Sequence, residues 1–410
     1  MSADASKKVP AAIAAAKTIN KTAVKRVEKS TENIFINLIE ASDYTVSIKD
    51  ENNCIISGST LKKNYDKTMA LVQELLLEPR WDEKEFDLIK QSTLAQVERQ
   101  KAQPNNIARN EFQKLLYGEN HLLSHDNLGT KSSINAITIS DLKAYYNYNF
   151  SPDITKLHVV GSISKEKVTK SLVSLNSKWQ SKPVEFPRIT NPLVPNTSKV
   201  YFYDVPGAKQ SVLTFGYPAL AATDIDYYPA QLLNYRLGGG SFASQLTQQL
   251  REGKGYTYGI GSRFSGSTMK GSFSISSGVR TNVTYESSSL VKEILKNYGK
   301  NYNENDLEVT KGYMIKSNAR AFETLRSKLT MLTNISNYGY ADDYAKERED
   351  IVKAMTVEDI KALAEKYFNP EKMIYLVVGD AASQMDKLEG LGFGKPELLN
   401  ELEIEETIQQ

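Results

Sequence analysis

Apolar and polar residues alternate along several stretches of the chain with the two-residue period of a half-buried strand. The clearest of these stretches contain Tyr44/Val46/Ile48, Tyr256/Tyr258/Ile260 and Phe273/Ile275. In residues 67–77 and 286–295, apolar residues instead recur every three or four positions, which is the spacing of an amphipathic helix. The pattern predicts an α+β protein in which helices pack on sheets.

Segments 138–161 and 356–379 are two copies of one pattern. Identical residues recur at a separation of 218 residues: Thr138/Thr356, Asp141/Asp359, Lys143/Lys361, Phe150/Phe368, Pro152/Pro370, Val159/Val377 and Gly161/Gly379. In each copy we expect the threonine to cap a helix, Phe-x-Pro to end it, and a buried strand to run into Val-Val-Gly. Weaker matches lie upstream: Leu71-Val72 with Leu290-Val291, Ser57-Gly58 with Ser277-Gly278, and Glu83…Lys90 with Glu304…Lys311.

The repeat predicts two tandem homologous domains, each a mainly antiparallel sheet with helices packed on it. We place the first domain at 1–181, a proline-rich linker at 182–197, the second domain at 198–400 and an acidic tail at 401–410. The second domain begins with two strand-like runs in 200–219, whose equivalents in the first domain would precede Met1. We therefore expect the first domain to lack its opening strands, because the chain is a fragment or because a partner supplies them.

The composition of the chain argues against several classes of protein. The 410 residues carry 51 basic and 49 acidic side chains, a net charge of +2, which gives no overall field for binding nucleic acid. Cys54 is the only cysteine, which excludes an intramolecular disulfide, and its strand-like surroundings predict a buried thiol. No apolar run has the length of about 20 residues that a membrane-spanning helix needs.

The segment 237–261, LGGGSFASQLTQQLREGKGYTYGIG, is the most unusual part of the chain. Gly238, Gly239 and Gly240 permit a tight backbone turn and a close approach, so we assign them, together with Ser241, to substrate binding. A phosphate-binding loop is the alternative, but the Gly-Lys-Ser/Thr ending of such loops is missing.

After the glycines, we expect Ser241 to cap a helix whose apolar residues are Phe242, Leu246 and Leu250. Arg251 would lie in the last turn of that helix, and Tyr258 on the strand that follows. A guanidinium and a phenol that converge in this way could both donate hydrogen bonds to a developing oxyanion. The structural alternative is that Arg251 caps the helix and Tyr258 packs on the sheet.

At Leu250-Arg251, Gly255 and Tyr258 the sequence resembles the pitrilysin/insulinase family of zinc metallopeptidases, whose zinc motif is inverted. In that family, C-terminal halves or non-metal subunits carry a Leu-Arg…Gly-x-x-Tyr signature. The resemblance extends over about 39–399. It implies paired domains of this size and, for Arg251 and Tyr258, stabilisation of the substrate carbonyl in the active site of a partner.

The zinc ligands of that family come from a His-x-x-Glu-His helix and a later glutamate. The repeat offset places these positions near 10–20 (PAAIAAAKTIN) and 90–93 (KQST), which contain no histidine and no glutamate. Hydrolysis requires three protein ligands around the zinc, so we predict no metal site in this chain and expect zinc in the partner. His121 and His125 have ligand-like spacing but lie in a predicted loop without a third ligand.

Two functional hypotheses follow. In the first, the chain pairs with a zinc-bearing homologous subunit or preceding half, encloses a chamber for a peptide or unfolded polypeptide, and supplies Arg251 and Tyr258. In the second, it is an inactive scaffold or assembly subunit of a larger complex, with membrane association left open. For localisation we favour the bacterial periplasm or cell envelope, with mitochondria and the cytoplasm as alternatives.

Overall fold

The computed structural model describes residues 42–50, 53–186, 189–320 and 322–400. The expected place of the zinc helix, 10–20, and the acidic tail, 401–410, lie outside the described residues. Contacts between Cα atoms divide the chain into two compact units. The first unit contains the described residues up to Lys101 and those of Asn120–Ile189, and the second contains Ala102–Glu119 and the described residues from Thr190 onward.

The regular elements are numbered in chain order. The strands are β1 (Ser42–Asp50), β2 (Asn53–Thr60), β3 (Lys199–Asp204), β4 (Gln210–Pro218), β5 (Thr257–Phe264), β6 (Ser272–Arg280), β7 (Ile374–Gly379) and β8 (Glu397–Leu398). The helices are α1 (Tyr65–Leu77), α2 (Glu83–Lys101), α3 (Pro104–Tyr117), α4 (Lys131–Ala136), α5 (Ile139–Asn149), α6 (Lys165–Lys178), α7 (Tyr227–Asn234), α8 (Thr284–Asn301), α9 (Glu304–Arg320), α10 (Leu325–Tyr338), α11 (Tyr344–Ala354), α12 (Val357–Tyr367) and α13 (Ala381–Gln384).

The second unit is built on a six-stranded sheet of order β5-β6-β4-β7-β3-β8. The pairs from β5 to β7 are antiparallel, whereas β3 pairs in parallel with β7 and with β8. This sheet and its helices confirm the predicted α+β class. The predicted strands at Tyr258/Ile260 and Phe273/Ile275 are β5 and β6, and the predicted helix at 286–295 lies within α8.

Strand β7 is buried along its whole length because both of its faces are covered. Tyr375 and Val377 face the main core of the unit. Leu376 and Val378 face the other way and pack with Phe112 of α3. The continuous apolar run Ile-Tyr-Leu-Val-Val is therefore what a strand with two packed faces requires.

Helix α3 packs on β4 and β7 and belongs to the second unit. Its sequence position falls within the predicted first domain, 1–181. The periodicity of the helix showed that it had an apolar face, but could not show which sheet would cover that face. The predicted boundary and the observed division therefore differ at residues 102–119.

The first unit contains a two-stranded antiparallel sheet, β1-β2, together with α1, α2 and α4 to α6. Its buried apolar cluster is small and consists of Phe86, Ile137 and Leu142. Cys54 lies on β2 as the pattern predicted, but it is exposed, so the expectation of a buried thiol is wrong.

The helical part of the repeat is confirmed at the level of single residues. α5 and α12 each span 11 residues, and they begin at positions separated by the repeat offset. Thr138 and Thr356 both cap their helices through reciprocal hydrogen bonds with the aspartate three residues later.

The strand predicted at the end of the first copy is absent from the described residues. Residues 156–161 form no helix or strand, although their counterparts form β7. A strand needs neighbours that accept and donate backbone hydrogen bonds, and β7 obtains them from β3 and β4. No described strand pairs with 156–161, and Leu157 in this run is exposed.

Candidate functional site

The three glycines lie at the C-terminal end of a short π-helical segment, Tyr235–Gly239. This segment packs directly on β5. A Cβ atom at Gly238 would collide with the backbone and hydroxyl of Ser262 on that strand. A Cβ atom at Gly240 would lie 2.7 Å from the carbonyl oxygen of Tyr235. Gly238 and Gly240 are therefore required by close packing. Of the three glycines, only Gly239 is exposed, and their assignment to substrate binding stays a prediction.

Ser241 does not cap the following helical segment, contrary to the prediction. It has a φ of 51° and begins a 3-10 turn, Ser241–Ala243. The cap is Ser244, whose backbone is extended and whose hydroxyl accepts a hydrogen bond from the N–H of Thr247 at 3.4 Å. Capping requires an extended residue directly before the helix, and Ser241, in the left-handed region, does not meet that condition. The Ser-x-x-Thr spacing of Ser244 and Thr247 was the signal that the sequence reading missed.

An ion pair between a partly exposed arginine and a buried aspartate holds the turn in place. The guanidinium of Arg236 contacts the carboxylate of Asp306 on α9, with Nη2 at 2.7 Å from Oδ1, and it also donates to the carbonyl oxygen of Ala243. Asp306 is buried, so this link joins the 3-10 turn firmly to the body of the unit.

Arg251 lies in the π-helical segment Thr247–Gly253, at the helix end that the sequence predicted. Leu250 beside it is fully buried and anchors the segment, while the Arg251 side chain is 39% exposed. Its guanidinium carbon lies 4.8 Å from the centroid of the Phe242 ring, a cation–π contact. Its Nε lies 3.3 Å from the Oε1 of Glu252. The sequence placed Phe242 on the apolar face of a helix, but Phe242 is exposed and covers the arginine.

The chain reverses between Arg251 and Tyr258 through Gly255, whose φ is +61°. The N–H of Gly255 donates to the carbonyl oxygen of Arg251 at 3.0 Å, and the N–H of Tyr256 donates to that of Leu250 at 2.9 Å. A residue with a side chain is strained at such a φ, so Gly255 is the residue that allows this tight exit. These bonds fix the course of the backbone from the arginine to the start of β5.

Tyr258 is the second residue of β5 and is 89% exposed. β5 is at one end of the sheet order, so Tyr258 stands on an edge strand. Position and exposure together show that its phenol is directed away from the core. A cavity of about 380 Å³ in the same unit is lined partly by Lys209, Arg280 and Asp380 and includes neither Arg251 nor Tyr258.

The residues at 90–93, where the resemblance places the distal zinc ligand, do not suit zinc. Lys90 donates through Nζ to the carbonyl oxygens of Asn135 and Ile137, and the buried hydroxyl of Thr93 donates to that of Ile89. Among the described residues, no group of three or more histidine, cysteine, aspartate or glutamate side chains could hold a metal ion. His121 accepts a hydrogen bond at Nδ1 from the N–H of Leu123, so it caps a 3-10 turn.

Comparison with known proteins shows which proteins this chain resembles. A family model described as "Peptidase M16 inactive domain" matches residues 136–313. The chain is 24% identical over 356 residues to the "Non-peptidase homolog YmxG" of Helicobacter pylori, an alignment that covers 84% of this chain and 80% of that protein. It is 23% identical to the "Uncharacterized zinc protease YmxG" of Bacillus subtilis, over 78% and 77% of the two chains. The chain is therefore similar to M16 peptidase family proteins over most of its length, and its residues 136–313 match the model of their inactive domain.

The fold agrees with this similarity to M16 proteins. The crystal structure of a peptidase M16 inactive domain from Pseudomonas fluorescens superposes with a TM-score of 0.80. It is 23% identical and covers 90% of this chain and 88% of its own. This likeness shows that the chain has the fold of M16 proteins, as the resemblance at Arg251, Gly255 and Tyr258 implied. No described helix of the chain is both long enough and apolar enough to cross a membrane.

Proposed function

We propose that the chain is the non-zinc-binding subunit or half of an M16 metallopeptidase. In this role it helps to enclose a chamber for a peptide or unfolded polypeptide. It supplies Arg251 and Tyr258 to the zinc site of a homologous partner. This proposal goes beyond the match to the M16 family model, which by itself indicates an inactive M16 domain.

The observation that carries the proposal is the exposure of Arg251 and Tyr258 on one rigid connection. In the structural alternative, Arg251 would cap the helix and Tyr258 would pack on the sheet. Instead Tyr258 stands free on an edge strand, and Arg251 leans on the ring of Phe242. An exposed phenol and a guanidinium with restricted motion are suited to bind a group that another molecule brings.

The chemistry required of these residues is hydrogen-bond donation. When bound in the partner, zinc activates a water molecule for attack on the peptide carbonyl. The carbonyl oxygen gains negative charge as the attack proceeds. Tyr258 would donate through its hydroxyl group and Arg251 through its guanidinium, which carries a permanent charge. Donors that are already in position lower the barrier because they need no reorganisation at that moment.

The second candidate function is assembly alone. It is favoured by the name of the Helicobacter pylori relative, which describes a non-peptidase homologue. The Bacillus subtilis relative, by contrast, is named as a zinc protease. An assembly subunit would need the fold but would have no use for the two exposed donors.

The deciding experiment is reconstitution with a zinc-bearing M16 chain from the same source, followed by assays of peptide hydrolysis. Tyr258→Phe should leave assembly intact and reduce kcat by about 10²–10³, which is the typical loss for one oxyanion donor. Arg251→Ala should reduce kcat at least as much. Matched controls are Tyr148→Phe, since Tyr148 is 75% exposed elsewhere, and Arg263→Ala on β5. An active complex that is indifferent to both site substitutions would favour the assembly function.

A further inference from the structure

Tyr258 lies in a β-bulge. Thr257 of β5 pairs with Val279 of β6, and Ile260 pairs with Ser277. Tyr258 and Gly259 therefore stand opposite the single residue Gly278. A bulge of this kind adds one residue to an edge strand and changes the direction of the side chain that it carries.

The bulge removes the backbone groups of Gly259 from the regular ladder, and two buried hydroxyl groups bind them instead. The N–H of Gly259 donates to Thr257 Oγ1 at 3.0 Å. The hydroxyl of Ser277 lies 3.0 Å from the carbonyl oxygen of Gly259 and donates to it. Thr257 in turn donates its own proton to the carbonyl oxygen of Gly278 at 2.7 Å. In this arrangement each hydroxyl proton is used once, and both backbone groups of Gly259 are satisfied.

The equivalent hairpin of the first unit has no bulge at this place. Ser57-Gly58 of β2 matches Ser277-Gly278 in the repeat, and these two residues pair one to one with Thr45 and Tyr44 of β1. The first unit thus has one residue where the second has Tyr258 and Gly259. The extra residue is specific to the copy that carries the arginine/tyrosine motif.

We propose that Thr257 and Ser277 are positioning residues for Tyr258. Their hydroxyl groups hold the bulge that directs the phenol outward at the edge of the sheet. Without the bulge, the one-residue change of register would turn Tyr258 toward the opposite face of β5. This inference rests on the proposed function in one respect only, which is that the direction of Tyr258 matters for turnover.

The first test uses the full chain without a partner and measures hydrogen exchange at the amide of Gly259. Thr257→Val keeps the shape of the side chain but removes the acceptor, so exchange should become about tenfold faster or more. Thr257→Ser retains a hydroxyl and should restore slow exchange. Ser276→Ala is the matched control, because Ser276 is the exposed neighbour of Ser277 on β6. Unchanged protection of Gly259 in both Thr257→Val and Ser277→Ala would overturn the proposal.

The second test measures turnover in the complex with a zinc-bearing chain. Thr257→Val should lower kcat by about tenfold or more, with assembly intact and with rescue by Thr257→Ser. Added to Tyr258→Phe, it should cause little further loss, because the two residues act through one phenol. A complex that needs Tyr258 but tolerates Thr257→Val would refute the positioning role. If the complex tolerates Tyr258→Phe as well, the proposed function fails, while the exchange measurement still decides whether Thr257 holds the bulge.

Discussion

The two units carry the same sequence pattern, but they differ in how much of it becomes regular structure. In the second unit the pattern ends in β7, which lies between β3 and β4 and is buried on both faces. In the first unit the matching residues 156–161 form no helix or strand. The helices that precede these segments, α5 and α12, are nevertheless equal in length.

The difference separates local from non-local determinants. A capped helix satisfies its backbone through bonds to residues three or four positions away, so the sequence of the copy is sufficient. A strand satisfies its backbone through other strands, so the same apolar run becomes a strand only where neighbours are present. The comparison can be tested at pairs of residues that occupy equivalent positions in the two copies.

The two tryptophans make such tests practical. Trp81 and Trp179 both belong to the first unit, so tryptophan fluorescence during urea unfolding follows that unit. The second unit can be followed by hydrogen exchange of peptides that cover α12 and β7. Tryptophan fluorescence and hydrogen exchange together therefore measure the effect of a substitution on each unit.

The largest effect is expected at Phe368. It is buried and packs against Phe273 and Tyr298, with ring centroids at 5.1 Å and 5.2 Å. Phe368→Ala should lower the free energy of unfolding of the second unit by about 3–5 kcal/mol, because it leaves a cavity among rigid rings. Its counterpart Phe150 is only partly buried and packs against Tyr146, so Phe150→Ala should cost the first unit about 1 kcal/mol. Equal losses would mean that the two phenylalanines have equivalent surroundings.

A smaller effect is expected at Gly379. A Cβ atom there would lie 2.6 Å from the hydroxyl oxygen of Ser211, and that serine is held by a hydrogen bond from Thr284 at 2.7 Å. Gly379→Ala should therefore destabilise the second unit by about 1–3 kcal/mol through overpacking. Gly161 has no atom within 4 Å of the same position, so Gly161→Ala should change the stability of the first unit by less than about 0.5 kcal/mol.

The control for this prediction is a second substitution at the contact. Ser211→Ala removes the oxygen that the new methyl group would meet. Combined with Gly379→Ala, it should recover part of the lost stability. If Gly161→Ala is as costly as Gly379→Ala, the space around the two glycines is alike and the contrast between the units is wrong.

The same contrast explains what the sequence could predict. Thr138, Thr356 and the helix ends were predicted correctly because the capping signal is local. The resemblance to M16 proteins was recognised through Arg251, Gly255 and Tyr258, whose spacing is also local. By contrast, nothing near Pro104 indicated that α3 would pack on β4 and β7, because contacts between distant segments leave no periodic signal in the segment itself.

Within the site, the errors have the same origin. Phe242 was predicted to lie on the apolar face of a helix because of its spacing from Leu246 and Leu250. The left-handed backbone of Ser241 breaks that helix, so the ring turns outward over Arg251. The bulge at Tyr258 was not predicted, because it depends on Ser277, which is distant in sequence.

The smallest effect is expected at the two capping threonines, and here the two units should agree. Thr356 donates to the carboxylate of Asp359 from its N–H at 2.9 Å and from its hydroxyl at 2.7 Å, and Thr138 makes the same bonds to Asp141 at 2.8 Å and 2.7 Å. Because the contacts lie within one turn, Thr356→Ala and Thr138→Ala should each cost about 1 kcal/mol.

The pH dependence of the Thr356→Ala effect would show whether the carboxylate is responsible. The hydrogen bonds from the Thr356 hydroxyl and N–H lower the pKa of Asp359 below its ordinary value. A folded-state pKa below the unfolded value means that the carboxylate stabilises the fold above the unfolded pKa, near 4. That contribution is lost as the pH falls through the folded pKa.

The difference in protection of α12 between the parent protein and Thr356→Ala should therefore be constant from pH 7 to about pH 5 and should shrink below about pH 4. A difference that persisted unchanged at pH 2.5 would assign the effect to the Thr356 hydroxyl as acceptor for the Asp359 N–H, since that bond does not titrate.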